Sequence, residues 1–357
     1  MILVLNCGSQ SIKWKVFDEK LKLVKKNTAE VLNSADYQGI LEQELRKLSG
    51  SDISVIGHRV VHGGKIFVKP EKITEVNLSE LEKLTGLAPL HNSFNILGIK
   101  ACQKIFPGAA QIAVFDTEFF SDLSEKAFTY ALPEKIIEDF GFRKYGFHGI
   151  SHEYATKIAM KKLSALGGPA SGGKIITCHL GGGASIAAIK NGKAIDTSMG
   201  FTPLEGLVMM TRSGNIDAGI VLELAREFGA DKASEILNKE SGIKGICGEG
   251  EMLNVLDKIK SGDKKAKFAM DVFVYSIQKY IGAYYAILGG CDALVFTGSI
   301  GSGLKITRDL ICKDLSILKM PTAKPSSMRD GKAIGTKVLA IETNEELAIA
   351  EKIIKLI

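Results

Sequence analysis

The sequence predicts an α/β protein built from two duplicated halves. Two observations carry this reading. A strand, a glycine turn and a second strand open the chain, and the same pattern returns at Lys174–Asp196. Helical segments lie between and after the two copies, so strands and helices alternate rather than segregate.

In the first copy, Ile2–Leu5 reads as a buried strand, Asn6–Ser11 as a Gly/Ser turn and Ile12–Phe17 as an alternating strand. Asp18–Lys20 then turns into a third strand. In the second copy, Ile175–Cys178 is apolar, Gly181–Gly183 is a glycine turn and Ser185–Ile189 is a strand. Asn191–Gly192 is a strong hairpin signal, and Lys193–Ile195 follows it. Short helices are expected at Ser79–Leu84 and Ile96–Ile105. Longer ones are expected at Ser151–Leu163, with Ser151 as N-cap, and at Ile216–Phe228. Lys264–Leu288 is the longest, with an apolar stripe through Phe273, Ile277, Ile281 and Tyr284. Asp292–Gly303 reads as a buried strand entering a third glycine turn. Thr343–Ile357 reads as a final helix capped by Thr343 or Asn344, with Glu345 and Glu346 in its first turn. Leu166–Gly173, LGGPASGG, reads as a flexible linker.

The 357 residues are 45% hydrophobic and 24% charged, an ordinary globular balance with room for two domains. The net charge is +6 without a long Lys/Arg run, so a nucleic-acid surface is not demanded and a small anionic substrate suffices. Six scattered cysteines without a CxxC fit a reduced, cytoplasmic protein. The N-terminus lacks the basic lead and cleavage site of a signal peptide. Tyr280–Gly301 is poor in charge, but Gly289, Gly290 and Asp292 break it as a membrane span.

Chemistry concentrates in a few places. Asp196–Asp217 has neither a helical nor a strand period. It places Arg212 between Thr211 and Ser213 beside Gly214, and a planar guanidinium so held suits a carboxylate or phosphate. An ordinary surface loop is the bland alternative. Three glycine turns each follow an apolar strand, where backbone N–H groups can approach phosphate oxygens. None fits GxxxxGK[ST] or, after the first strand, GxGxxG, so a nucleotide or phosphate cleft between two domains is expected without a P-loop. All six histidines (His58, His62, His91, His148, His152 and His179) fall in one third of the chain. Their spacing does not make a zinc site, and imidazoles facing anionic oxygens fit better. Arg59, Asp116 and Glu345 complete the charged candidates. Each also has a bland reading, as an ion pair, a turn or a helix-end charge.

Taken together, NCGSQSIKWK, GHRVVHGG, LAPLHN, VFDTEFF, YGFHGISH, the block from His179 to Gly214, FTGSIG and TNEELAIA resemble the acetate kinase family in content and order. The resemblance spans nearly the full chain. It implies two duplicated ribonuclease-H-like (actin-like ATPase) domains flanking a nucleotide and substrate cleft. Residues 1–117 with 345–357 would form one domain, and 118–344 the other. It also implies reversible phosphoryl transfer between ATP and acetate, giving ADP and acetyl phosphate.

Carried over by motif, Arg59 and Arg212 bracket the transferring group, His148 donates to it and Asp116 orients the attacking carboxylate. Val61, Leu90, Phe147 and Pro203 match the methyl pocket, and His91 and His179 line the cleft. Asn6 and Glu345 match the magnesium positions, with Mn²⁺ as the alternative ion. On the nucleotide side stand Ser9, Ser11, Lys13, Gly181, Gly182, Gly183, Glu251, Ser299, Ile300, Gly301 and Gly303. The family resemblance further implies a homodimer, with neither a nucleic-acid nor a membrane partner.

Departures cluster on that nucleotide side. Gly182 and Gly303 replace asparagines, and Ser299 replaces a glycine. GEGEMLN lacks the Asp-aromatic-Arg run, with Glu251 in place of the aspartate. Asn215 and Ala218 replace an aspartate and a proline, and the chain is shorter between Lys20 and Ser54. The donor therefore stays open among ATP, GTP and pyrophosphate. Propionate or another short acid is the alternative acceptor, and a non-catalytic nucleotide sensor is the alternative from another class.

Overall fold

The structure, a computed structural model, describes residues 1–88, 91–166, 173–316, 328–329, 332–333 and 337–357. Two compact units emerge: Met1–Ser121 with Phe147–Ile150 and Asn344–Ile357, and Asp122–Gly146 with Ser151–Thr343.

The first unit holds a six-stranded mixed sheet. Its strands are β1 (Ile2–Cys7), β2 (Ser11–Phe17), β3 (Leu23–Glu30), β4 (Val55–Val60), β5 (Glu71–Lys72) and β6 (Ala110–Phe115), in the order β3-β2-β1-β4-β6-β5. The opening meander is antiparallel, whereas β1, β4 and β6 run parallel and register Leu5 against His58 and Arg59 against Val114. Alternation sends Leu3, Leu5 and Cys7 to one face, where they pack with Tyr37, Leu41 and Leu45 of helix Tyr37–Arg46. That helix is absent from the sequence reading, although its i, i+4 stripe was the available signal. Glu44 ties it to the sheet, accepting from Trp14 Nε1 at 3.0 Å and Asn27 Nδ2 at 2.8 Å.

Helices Glu75–Lys83 and Asn92–Ile105 begin earlier than their apolar periods suggest, the first because Thr74 forms a capping box with Asn77. The final helix, Glu345–Ile353, returns to β1 and β4. Asn344, one of the two expected caps, accepts from Leu347 N at 3.3 Å and from Lys15 Nζ at 2.8 Å, and Lys15 also pairs with Glu346. Gly57 on β4 admits this helix: an added Cβ would lie 2.7 Å from Ile349 Cγ2 and 2.8 Å from Ile353 Cδ1. Gly57→Ala is therefore expected to lower stability by about 1–3 kcal/mol through overpacking. A thermal or urea melt checks it, and an unchanged midpoint would refute the close packing.

The second unit holds β7 (Lys174–Leu180), β8 (Ala184–Lys190), β9 (Lys193–Thr197) and β10 (Ala293–Thr297). A separate antiparallel pair is formed by β11 (Met328–Arg329) and β12 (Lys332–Ala333). With β13 (Lys337–Ala340), the main sheet runs β13-β10-β7-β8-β9. The hairpin at Asn191–Gly192 is present, with both residues at positive φ. Helix Lys264–Leu288 has the expected bounds, and Phe273, Ile277, Ile281 and Tyr284 are all buried.

Two more helix starts differ from expectation. Helix Gly149–Ala165 begins two residues before Ser151, whose hydroxyl bonds His179 Nδ1 at 2.8 Å instead of capping. Helix Ala218–Phe228 begins after Asp217, which caps it through Gly219 N, because that aspartate outcompetes Ile216 as a start. The third glycine turn coils as Gly298–Gly301. Most of the Leu166–Gly173 linker lies outside the described residues. Among the described residues, all six cysteines are free and no helix is long and apolar enough to cross a membrane.

Candidate active site

Parallel strands leave their carboxyl ends on one edge, the usual place for ligand-binding groups in such sheets. Here that edge carries Asn6 on β1, Arg59 on β4 and Asp116 just after β6. Arg59 grips Asp116 with both arms of its fork, Nε to Oδ1 at 3.2 Å and Nη2 to Oδ2 at 2.7 Å. Its remaining nitrogen, Nη1, reaches Asn6 Oδ1 at 3.5 Å and Glu345 Oε2 at 3.4 Å. Glu345 arrives there because the returning helix starts at that edge, with its carboxylate at the positive helix end.

Burial by itself would lower the Arg59 pKa. The carboxylates of Asp116, Glu345 and Glu346 outweigh it and hold the guanidinium above its ordinary value. Asp116 is 1% exposed. Burial pushes its carboxyl up, against the Arg59 fork and a backbone hydrogen bond from His148. His148 itself has φ 57°, a left-handed turn that only a few non-glycine residues adopt. The next residue must be small: a Cβ on Gly149 would collide with the Asp116 carbonyl oxygen, which accepts from Gly149 N at 2.9 Å.

Val61 lies two residues after Arg59, just past the end of β4, and Phe147 is buried with its ring 5.4 Å edge-on from that of His62. Leu90 lies outside the described residues, and His91 immediately precedes helix Asn92–Ile105. Two residues absent from the sequence reading, Asn92 and Asn95, bond the loop that carries Val61. Their signal was the HNSFN spacing, which puts both amides on one helix face directly after His91.

The six histidines divide. His58 is buried and its pKa falls to about 4 because burial disfavours the cation, so it stays neutral beside the Gln111 amide at 2.7 Å. His152 is held well below its usual value by burial, then by His179, and it bridges Thr177 Oγ1 and Ser185 Oγ at 2.7 and 2.8 Å. His62 accepts from Gly64 N through Nδ1 at 2.9 Å. These three are held by neighbouring protein groups.

In the second unit, Arg212 sits on a segment fixed almost entirely by backbone. Met209 N donates to Arg212 O, Ser241 N to Thr211 O and Ser213 N to Leu237 O, at 3.1, 3.0 and 3.0 Å. Gly214, at φ +69°, leaves no room for a Cβ against Leu207 O. Tyr130 bonds Glu205 and accepts from Phe201 N, which pins the stretch before Pro203. The Arg212 guanidinium donates to Pro203 O at 3.2 Å. No carboxylate among the described residues perturbs it, and burial lowers its pKa. A largely buried cation with no carboxylate partner among the described residues has capacity to pair with an anion.

Gly181, Ser299 and His179 cluster at the ends of β7 and β10: a Cβ on Gly181 would lie 3.5 Å from Ser299 Oγ and 3.9 Å from His179 Nε2. Gly182 is exposed, with open space where a side chain would stand, and Gly183 O accepts from Gly181 N. Gly303 could not carry one without striking Ser299 O. Ile300 and Gly301 are buried, and Glu251 is exposed before helix Met252–Lys260. Ser9 and Lys13 are exposed in the first unit, with Ser11 half-buried between them.

Among the described residues, no three His, Cys, Asp or Glu side chains gather as a metal cage. Asn6 Oδ1 and Glu345 Oε2 nonetheless both approach Arg59 Nη1, so two hard oxygen donors lie near each other beside the guanidinium. Their chemistry is of the kind Mg²⁺ takes, since that ion keeps most of its waters and binds one or two protein oxygens besides phosphate.

The model of the acetokinase family matches residues 25–351. The chain belongs to the acetokinase family. It is 42% identical to the acetate kinase of Carboxydothermus hydrogenoformans over 396 aligned positions, covering 100% of this chain and 99% of the relative. The crystal structure of Porphyromonas gingivalis acetate kinase is 36% identical with a TM-score of 0.84, covering 100% of this chain and 99% of that one. A propionate kinase from Francisella tularensis is also 36% identical, with a TM-score of 0.86 and 98% coverage of each chain. The expected actin-like ATPase fold is therefore present in this acetokinase, and its two mixed sheets are the duplicated elements.

Proposed function

We propose that this chain is an acetate kinase, transferring a phosphoryl group between ATP and acetate with Mg²⁺. The observation that carries the reading is the Arg59 constellation, in which one guanidinium is held by Asp116, Asn6 and Glu345 at a parallel-strand edge. Phosphoryl transfer needs little covalent help from a protein; positioning and charge stabilisation dominate. Arg59 and Arg212 donate to the oxygens of the transferring group and the acetate carboxylate, and their contacts strengthen as charge spreads. His148 donates to the same group. Asp116 orients Arg59 and the attacking carboxylate. Acetate is already ionised at neutral pH, so a general base is not required.

Asn6 and Glu345 would hold the ion, with Mn²⁺ as an alternative. When bound, it neutralises charge on the phosphate oxygens. Ser9, Ser11, Lys13, His179, Gly181, Gly182, Gly183, Glu251, Ser299, Ile300, Gly301 and Gly303 form the nucleotide side. By motif, the methyl group is assigned to Val61, Leu90, Phe147 and Pro203, together with His91. A cytoplasmic homodimer is part of the same reading, supported by the exposed Ile220, Leu222 and Phe228 of one helix.

A second reading concerns the acceptor. The propionate kinase similarity favours testing a longer acid, although Val61 argues for acetate because one methylene in such a pocket is worth about 1–3 kcal/mol. Trapping acyl phosphate with hydroxylamine decides both questions. Acetyl hydroxamate is expected with acetate, Mg²⁺ and ATP, and more slowly or not at all with GTP or pyrophosphate. No product from folded protein with any donor would refute the kinase assignment, and a clear kcat/KM preference for propionate would reassign the substrate.

A further inference from the structure

Two buried asparagines one helical turn apart make four hydrogen bonds to backbone, and none of those bonds belongs to a helix or a sheet. Asn95 Oδ1 accepts from Val61 N at 3.0 Å, while its Nδ2 donates to Cys7 O at 2.8 Å. Asn92 Oδ1 accepts from His62 N at 3.1 Å, and its Nδ2 donates to His62 O at 2.9 Å. Helix Asn92–Ile105 thus grips the chain just past Val60, where the β4–β6 register ends. Asn95 also bridges the ends of β1 and β4, one residue beyond Asn6 and two beyond Arg59. The helix itself comes close because Gly98 lacks a side chain, where a Cβ would lie 2.7 Å from Cys7 Sγ.

We propose that Asn95, seconded by Asn92, is a positioning residue that sets acyl-chain selectivity by fixing the backbone of Val61. The inference rests on the acetate kinase reading above. A side chain can exclude a methylene only if its own backbone cannot retreat. Further along, the loop is held by bonds that do not reach Val61: Gly63 N to Thr117 Oγ1 at 3.1 Å, Gly64 N to the His62 ring and Phe67 N to Gly63 O at 2.9 Å. Both amides use donor and acceptor at once, so neither can rotate without breaking two bonds. Buried amide bonds of this kind are costly to leave half-made.

The test measures kcat and KM for acetate and propionate in the full-length protein, its Asn95→Ala and Val61→Ala variants, and the double variant. Asn95→Ala is expected to raise the propionate-to-acetate ratio of kcat/KM about 3- to 10-fold. In the Val61→Ala background the same change is expected to leave the ratio within about twofold, because the wall it positions is gone. An unchanged ratio in folded Asn95→Ala, or fully additive effects in the double variant, would overturn the proposal. Asn95→Asp keeps the acceptor for Val61 and loses the donor to Cys7. It replaces Asn95→Ala if the latter does not fold, and it is expected to retain the parental ratio while melting lower; a shifted ratio would again refute it. If the parental protein makes no acyl phosphate from either acid, the kinase reading fails first; parental turnover with an immobile ratio sinks the positioning role alone.

Discussion

Arg212→Ala is expected to lower kcat by about 10²- to 10³-fold, the scale seen when one preorganised donor to developing charge is removed. Its melting temperature should move little. Among the described residues the guanidinium makes only a bond to the Pro203 carbonyl and a long contact to Met209 sulfur, and its removal strands no carboxylate there. The segment around it is held by backbone bonds and by Tyr130 and Glu205, none of which the substitution touches. KM for acetate should rise less than kcat falls, because the contact strengthens as the phosphoryl group transfers. Steady-state kinetics with a parallel melt decide the matter. A near-normal kcat would remove Arg212 from the reaction, and a collapsed melt would make it structural.

Arg59→Met is expected to behave differently, losing activity and stability together. Removing one partner of a buried ion pair typically costs about 3–5 kcal/mol, because the other charge stays behind. Here three oxygen-bearing side chains lose their common donor. The pH dependence carries a definite sign. Burial already raises the Asp116 pKa, and Arg59 is the main force opposing it. Without Arg59 the folded carboxyl holds its proton to higher pH than the unfolded one. The folded state then binds more protons, and stability falls as pH rises through the window above the ordinary carboxylate pKa. The deficit of Arg59→Met relative to the parental protein should accordingly be larger at pH 8 than at pH 5. A deficit independent of pH would show that Asp116 does not carry the stranded charge.

The contrast between the two arginines explains how much of the site was legible. Both stood out in sequence, since each arginine sits among glycines or hydroxyls in a turn-rich motif. Nothing in the sequence said that one would be saturated with carboxylates and the other left without any. Likewise, six clustered histidines looked equivalent, yet His58 and His152 are buried and neutral, with Gln111, Thr177 and Ser185 as partners. Asn92 and Asn95 carry little signal in sequence, because asparagine near a helix start is ordinarily a cap. Here both amides bond instead to a loop that follows a distant strand.

By itself the sequence determined what is local or repeated. Alternation and Asn191–Gly192 gave the hairpins, the apolar stripe gave Lys264–Leu288, and the ordered motifs gave the family. Tertiary structure alone decided the convergence of Asn6, Arg59, Asp116 and Glu345. Those residues come from three parallel strands and a returning helix, and parallel neighbours are joined through long crossovers that leave no periodic trace. Side-chain charge is written residue by residue, whereas its pairing depends on strand order and on the few glycines, Gly57 and Gly149 among them, that let backbones meet.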